Sequence, residues 1–252
     1  MAQISFDSIE IAPEENTQLA VSDPRTVSLP SAESAYADKG LIGDWNESDI
    51  RPPRLNLVNK TGTLADQFTP GTWALDKQHQ ISHLDPKDKK RGVPLRIIAL
   101  NLLKQYQENI PYDDRESTPA RLFNSAAQVR EVGGVIHWTK GVNFFSELAT
   151  VELLIQAEDK LSEEAGILFF NLADDGTRYA RAIATFGSTA FSGVTMPLAN
   201  SLRTHLATCG LKGGQWDLGA VLTTKADKSW WSPTIRSAGF ITGAQQALIA
   251  SL

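Results

Sequence analysis

A chain of 252 residues, 42% of them hydrophobic, can bury the core of one large domain or two small ones. Its longest apolar run, LRIIALNLL, is interrupted by Arg96 and Asn101 and is far too short for a membrane-spanning helix. The opening MAQISFDSIEIAPEEN has neither the basic nor the apolar region of a signal peptide. Cys209 is the single cysteine, so no intrachain disulfide can form, and the sequence predicts a cytoplasmic protein without membrane contact.

The net charge of -5 hides an asymmetry. Residues 1 to 50 hold ten acidic and two basic side chains, a net -8, while the remainder holds 22 basic against 19 acidic, a net +3. Residues 1–48 are rich in Ser, Ala, Pro, Asp and Glu and lack periodicity. They are expected to form a flexible, disordered acidic arm, with at most a short strand from Ile4 to Ile11. Such an arm solubilises the chain, competes with a polyanionic ligand, or recruits other proteins. Residues 49–252 are expected to form one domain.

In chain order, DIRPPRLNLVNKTG predicts an extended start, because two prolines forbid a helix, followed by a strand at Leu55 to Val58. Pro70-Gly71 suits a turn, and Thr72 to Leu75 a second strand. After the charged loop DPKDKKRG, VPLRIIALNLLKQYQENI predicts a long central strand, with a helix over its second half as the alternative. STPARLFNSAAQVREVGG is punctuated as a helix, capped by Ser117 or Thr118 and stopped by Gly133. VIHWTKGVNFF and TVELLIQAE read as strands. GILFFNLADDGTRYARAIATF reads as a hairpin turning at Asp175-Gly176.

TMPLANSLRTHLATCGLKGG predicts a helix capped by Thr195 and stopped by Gly210, with Leu198, Leu202, Leu206 and a buried Cys209 on one stripe. The strands LGAVLTTK and SWWSPTIRSAGF then precede a C-terminal helix from about Thr242. Many strands with few helices and no βαβ alternation predict a mainly β (α+β) fold, an antiparallel small barrel with helical insertions.

Enzyme signatures are not found. No phosphate-binding GxxxxGK[ST], GxGxxG or GxSxG motif occurs. His79 and His83 lack a third ligand, Asp174-Asp175 suits a turn, and Asp113-Asp114 reads as an exposed loop. A non-catalytic binding protein without metal or cofactor is therefore expected, with a metal-dependent enzyme using the acidic pairs as the residual option.

The stretch KADKSWWSPTIRSAG carries the sharpest signal. Period two puts Trp231, Pro233 and Ile235 on one face and Lys228, Trp230, Ser232, Thr234 and Arg236 on the other. A large ring beside cations and small hydroxyls is how a base-stacking platform along a phosphate-binding groove is built. The DDG hairpin repeats the pattern, with Tyr179 next to Arg181 and Arg178 on the opposite face. Trp73 with Lys77, Trp138 with Lys140, and Arg51, Arg54, Lys60 and Lys225 supply further rings and cations. The sequence thus predicts that Trp230 and Tyr179 stack on bases, with Trp73 and Trp138 as secondary candidates. Arg178, Arg181, Lys225, Lys228 and Arg236 are expected to neutralise phosphates.

The succession RPPRLNLVNKTG, FTPGTWALDK, VPLRIIAL, GTRYARAIATFGSTAFSG, NSLRTHL and VLTTKADKSWWSPTI resembles bacteriophage-type single-stranded DNA-binding proteins over about residues 50–240. That resemblance implies an oligonucleotide/oligosaccharide-binding (OB-fold-like) barrel. It implies a role in replication or recombination, little sequence preference, location in a bacterial host cytoplasm, and replication or recombination proteins as partners of the acidic arm. The acidic segment here is N-terminal, whereas such families often carry a C-terminal acidic tail. The alternative is a structural or assembly protein, of a virus particle for example, with no nucleic-acid ligand. The sequence leaves a homo-oligomer open.

Overall fold

The computed structural model describes residues 52–110, 119–136, 144–159 and 161–252. The chain divides after Arg51, and these residues all belong to its second unit. The expected strand at Ile4 to Ile11, the candidate Arg51, and the candidates Trp138 and Lys140 lie outside the described residues.

Eleven strands form one mainly β sheet in the order β11-β10-β4-β7-β9-β1-β2-β3, with β5 beside β4, β6 beside β7 and β8 beside β9. The strands are β1 (Arg54–Leu57), β2 (Trp73–Leu75), β3 (His79–Gln80), β4 (Arg91–Glu108), β5 (Leu122–Phe123), β6 (Val135–Ile136), β7 (Phe144–Gln156), β8 (Asn171–Leu172), β9 (Arg178–Gly187), β10 (Gly214–Lys225) and β11 (Lys228–Phe240). The helices are α1 (Ala126–Glu131), α2 (Glu163–Gly166), α3 (Met196–Ser201) and α4 (Gly243–Ser251).

The sheet is mixed, where a wholly antiparallel one was expected. β1 runs parallel to β9, and β6 parallel to β7. More than a hundred residues separate β1 from β9, ample for the crossover a parallel pair needs, whereas the two-residue β6 lies close in sequence to its parallel neighbour β7. Among the described residues the sheet does not close into a ring. A single bridge, Leu84 to Gly92, flanked by the bonds Val93 N–H to His83 O (2.8 Å) and Asp85 N–H to Arg91 O (2.9 Å), joins the chain after β3 to the start of β4.

β4 is apolar on both sides because both sides are covered. Leu95, Ile97 and Ala99 enter the main core, while Ile98 and Leu100 pack with Leu154 and Tyr179 beneath Leu248 of α4. Each such fully buried aliphatic side chain contributes about 1.5–3 kcal/mol relative to exposure. On β9 the small Ala180, Ala182 and Ala184 all face the main core. A third cluster, Tyr106, Val129 and Phe145, closes the far end of the β4–β7 pair.

Three local expectations change. Of the helix predicted across residues 117–133, the candidate caps Ser117 and Thr118 lie outside the described residues, and the described part holds only α1, capped by Ser125, whose hydroxyl accepts the Gln128 N–H at 3.3 Å. Before it, Leu122 and Phe123 pair with β4, and Arg121 grips Glu108 with two bonds of 2.8 Å, so tertiary pairing overrides helix propensity. The apolar GILFF is not a strand: its Gly166 ends α2, which Ser162 caps, residues 167–170 form a turn and an irregular stretch, and Asn171–Leu172 then join the sheet.

The helix predicted from Thr195 is entered through a π-helical turn, Phe191–Thr195, and ends at Ser201, with irregular turns up to Gly210. Thr195 is therefore inside a helical run instead of capping it, and its buried hydroxyl has no partner. Once α-helical periodicity is lost the stripe splits. Leu198 and Leu206 are buried, while Leu202 and Cys209 are exposed. Among the described residues no helix is long and apolar enough to cross a membrane.

Candidate nucleic-acid interface

The β10–β11 ribbon alternates as its sequence requires. Trp231, Pro233 and Ile235 are buried, Trp230 and Ser232 are partly exposed, and Lys228, Thr234 and Arg236 are exposed. Trp231 is 5% exposed. Its ring lies on Gly71, where an added Cβ would fall 2.5 Å from the indole, and its backbone N–H donates to Asn59 Oδ1 at 2.9 Å. The inward indole thus fixes the ribbon against the loop between β1 and β2 and leaves its neighbour facing outward.

Trp230 lines an open cleft of about 440 Å³. The parallel ladder between β1 and β9 stops at Leu55 opposite Ala184. Residues beyond that point on both strands, Asn56, Leu57, Thr185 and Gly187, line the cleft, with Trp230 and Trp231 across from them. Arg54 is its one charged lining residue, and no Asp or Glu is among the described residues that line it. At the ribbon tip Lys225 stands opposite Lys228 in register, and Lys60 Nζ donates to Ser229 Oγ at 2.6 Å. Arg54, Lys60, Lys225 and Lys228 are all exposed and make no ion pair among the described residues. Asp227 sits in the turn between Lys225 and Lys228, so these four cations outnumber the carboxylate beside them, an excess of positive charge that a polyanion can neutralise.

The other sequence candidates do not join this cluster. Trp73 is 1% exposed, so it lies in the core at the cleft and is not a surface platform. Tyr179 is also 1% exposed and is covered by α4, and burial pushes its phenol pKa up despite the bond from Gln245. That Gln245 Nε2–H bond to Tyr179 Oη is 2.7 Å long, and Gln245 Oε1 accepts in turn from Gln215 Nε2. Both rings were read as exposed because alternation shows which residues share a face and not what covers that face.

Arg181 forms an ion pair with Glu152, and Arg178 shares a hollow with Glu158, Asp159 and Glu163. There burial raises the Glu158 carboxyl pKa, opposed by His83 at 3.6 Å and reinforced by Asp159. Arg236 is opposite Asp217 and shares a hollow with Asp85 and Arg91. It lies six residues from Trp230, roughly 20 Å along the strand. Lys77 is exposed in the β2–β3 turn, where the Asp76 N–H bonds Arg54 O at 2.7 Å, but it does not line the cleft. Of the named cations, Arg54 lines the cleft with Trp230; Lys228 lies two residues from Trp230 on β11 with Lys225 opposite it, and Lys60 bonds Ser229 next to Trp230.

Sequence reasoning missed Asn56, Asn59, Thr185 and Thr189. Their signal is weak: Asn59 meets Trp231 across 172 positions, a contact with no local pattern. Comparisons with protein-family models, with curated proteins and with solved structures found no match.

Proposed function

We propose that this protein binds single-stranded DNA without catalysing a reaction, in replication or recombination, with Trp230 as a base-stacking platform. The observation that carries the reading is a partly exposed indole on a cleft that no carboxylate lines among the described residues, with four exposed cations on the flanking segments that make no ion pair among those residues. Base stacking on an exposed ring contributes about 1–3 kcal/mol per base and tolerates any sequence. Arg54, Lys60, Lys225 and Lys228 neutralise phosphates in this account, replacing Arg178, Arg181 and Arg236.

The likeness to bacteriophage-type single-stranded DNA-binding proteins, and an OB-type barrel, belong to the same proposal. The Leu84–Gly92 bridge supports the barrel reading, since it links the β1-β2-β3 side of the sheet back to β4. The experiment is a titration of oligothymidylate into the full chain at low salt, read by tryptophan emission and by gel shift. Saturable quenching that weakens steeply with salt supports the proposal, and no response in dilute buffer removes it.

A structural or assembly role is the second reading. Ile167 and Phe170, each 76% exposed, and Leu172, 62% exposed, lie close in sequence around β8 and favour contact with another protein surface. It predicts a concentration-dependent oligomer that added oligonucleotide does not change, measured by sizing.

A further inference from the structure

We infer that the exposed apolar surface around β8 docks a second copy of this chain, which presents Phe240 and the basic turns beside it. The contact is head to tail, because the two surfaces differ. It stands apart from the strand reading and names the occupant that the assembly reading leaves open.

The β8 surface arises from a local alternation. Beyond α2 the chain turns Phe169 and Ala173 inward, and leaves Phe170 and Leu172 on the opposite, outer face. Ile167, one residue past α2, is as exposed as Phe170. Carboxylates surround these three side chains. Residues 158–178 hold six acids against two bases, Lys160 and Arg178, a net -4. Asp159, Glu163, Glu164, Asp174 and Asp175 are all exposed.

The Phe240 surface has the opposite character. Phe240 is 60% exposed at the end of β11. Its ring meets His205 edge-on at 6.2 Å, and Ser237 Oγ lies 3.3 Å from His205 Nε2, which ties the strand end to the turns after α3. Those turns expose Leu202 and Arg203. Lys212, also exposed, lies two residues before Gly214, the register partner of Phe240. Residues 188–216 hold Arg203 and Lys212 but no Asp or Glu, and residues 237–252 hold no charged side chain.

Charge chooses among the ways in which two copies can meet. Two β8 surfaces would bring acid against acid, and two Phe240 surfaces base against base. One of each sets an acidic rim against a basic one around apolar centres, the anatomy of a protein interface. β10, β4, β7 and β9 lie between β11 and β8, a path of roughly 24 Å along the sheet. A copy docked at one surface therefore leaves the other free, and a heterologous contact of this kind extends into a chain or closes into a ring. With so few apolar anchors the contact is weak and concentration-dependent.

The test is sedimentation velocity of the full chain at low salt, from about 1 μM to about 1 mM. Phe170→Asp blocks the β8 surface and Phe240→Asp the other, each checked for cooperative unfolding. Arg203→Glu with Lys212→Glu serves as a second block of the Phe240 surface that leaves β11 untouched. The native chain is expected to grow past a dimer as concentration rises, less so in high salt. Each variant alone should associate about tenfold or more weakly. An equimolar mixture of Phe170→Asp and Phe240→Asp, each keeping the surface that the other lacks, should form a dimer and nothing larger. A native chain that stays monomeric throughout overturns this inference and the assembly reading together. Growth that either blocked surface leaves intact, or a mixture that stays monomeric, overturns the head-to-tail contact and leaves assembly through another surface standing.

Discussion

Trp231 rests directly on Gly71: a Cβ at that glycine would fall 2.5 Å from Cε2 and Cζ2 of the indole and 2.6 Å from Cη2. Gly71 also has φ +94°, a conformation that L side chains rarely adopt. Both features require glycine there. The contact matters beyond stability, because seating Trp231 turns Trp230 toward the cleft.

Gly71→Ala should therefore destabilise the domain by about 2–4 kcal/mol, combining backbone strain with overpacking. Urea unfolding midpoints measure this. A loss below about 1 kcal/mol would show that the indole relocates easily and that the seat does not orient the ribbon.

Tyr179 and Gln245 provide the counterpart on the other face. Tyr179→Phe removes the acceptor of a buried Gln245 N–H and should cost about 1–3 kcal/mol of stability. Affinity for single-stranded DNA should stay unchanged, since the ring is sealed beneath α4. A Phe variant of native stability with weakened DNA binding would restore Tyr179 as a contact residue.

Lys225 and Lys228 face each other at the ribbon tip, on either side of the turn that holds Asp227, and neither makes an ion pair among the described residues. Replacing both with Ala should reduce the slope of log affinity against log salt by about 1.4, at roughly 0.7 per phosphate contact on a single strand. Binding isotherms across a salt series give that slope directly. An unaltered slope would place the phosphates elsewhere.

Glu158 supplies a pH dependence with a definite sign. Its folded pKa is raised, chiefly by burial, so the unfolded chain releases this proton first as pH rises. The group therefore weakens the fold once pH exceeds the ordinary carboxylate value, and the penalty is complete above the raised folded value. Glu158→Gln should be more stable than the native protein at neutral pH. Its advantage should vanish as pH falls through the carboxylate range, as followed by thermal melts across a pH series. An advantage that persists in acid would point to a cause other than titration.

Local rules carried much of this fold and less of the site. Two-residue periodicity placed Trp231 inside and Trp230 outward, and the C-terminal helix expected from about Thr242 is α4, where Thr242 and Gln245 form a capping box. It could not show that α4 folds back over Tyr179, since Leu248 and Tyr179 meet only in three dimensions. Nor could it show that Glu152 neutralises Arg181, because that pairing depends on strand register between β7 and β9. Trp73 failed for a related reason: all three residues of β2 are buried, so the strand shows no alternation between a core face and an open one. The cleft depends on where a parallel ladder stops, and chain order alone does not encode that point.

The claim on which the account depends is that a single outward indole receives a base. Anisotropy of a labelled oligothymidylate at low salt, measured with the native chain and with Trp230→Ala, tests it most directly. The account predicts a loss of roughly 5- to 150-fold in affinity, the stacking energy of one base, with the unfolding midpoint nearly unchanged. Equal affinity in the two folded proteins would contradict it.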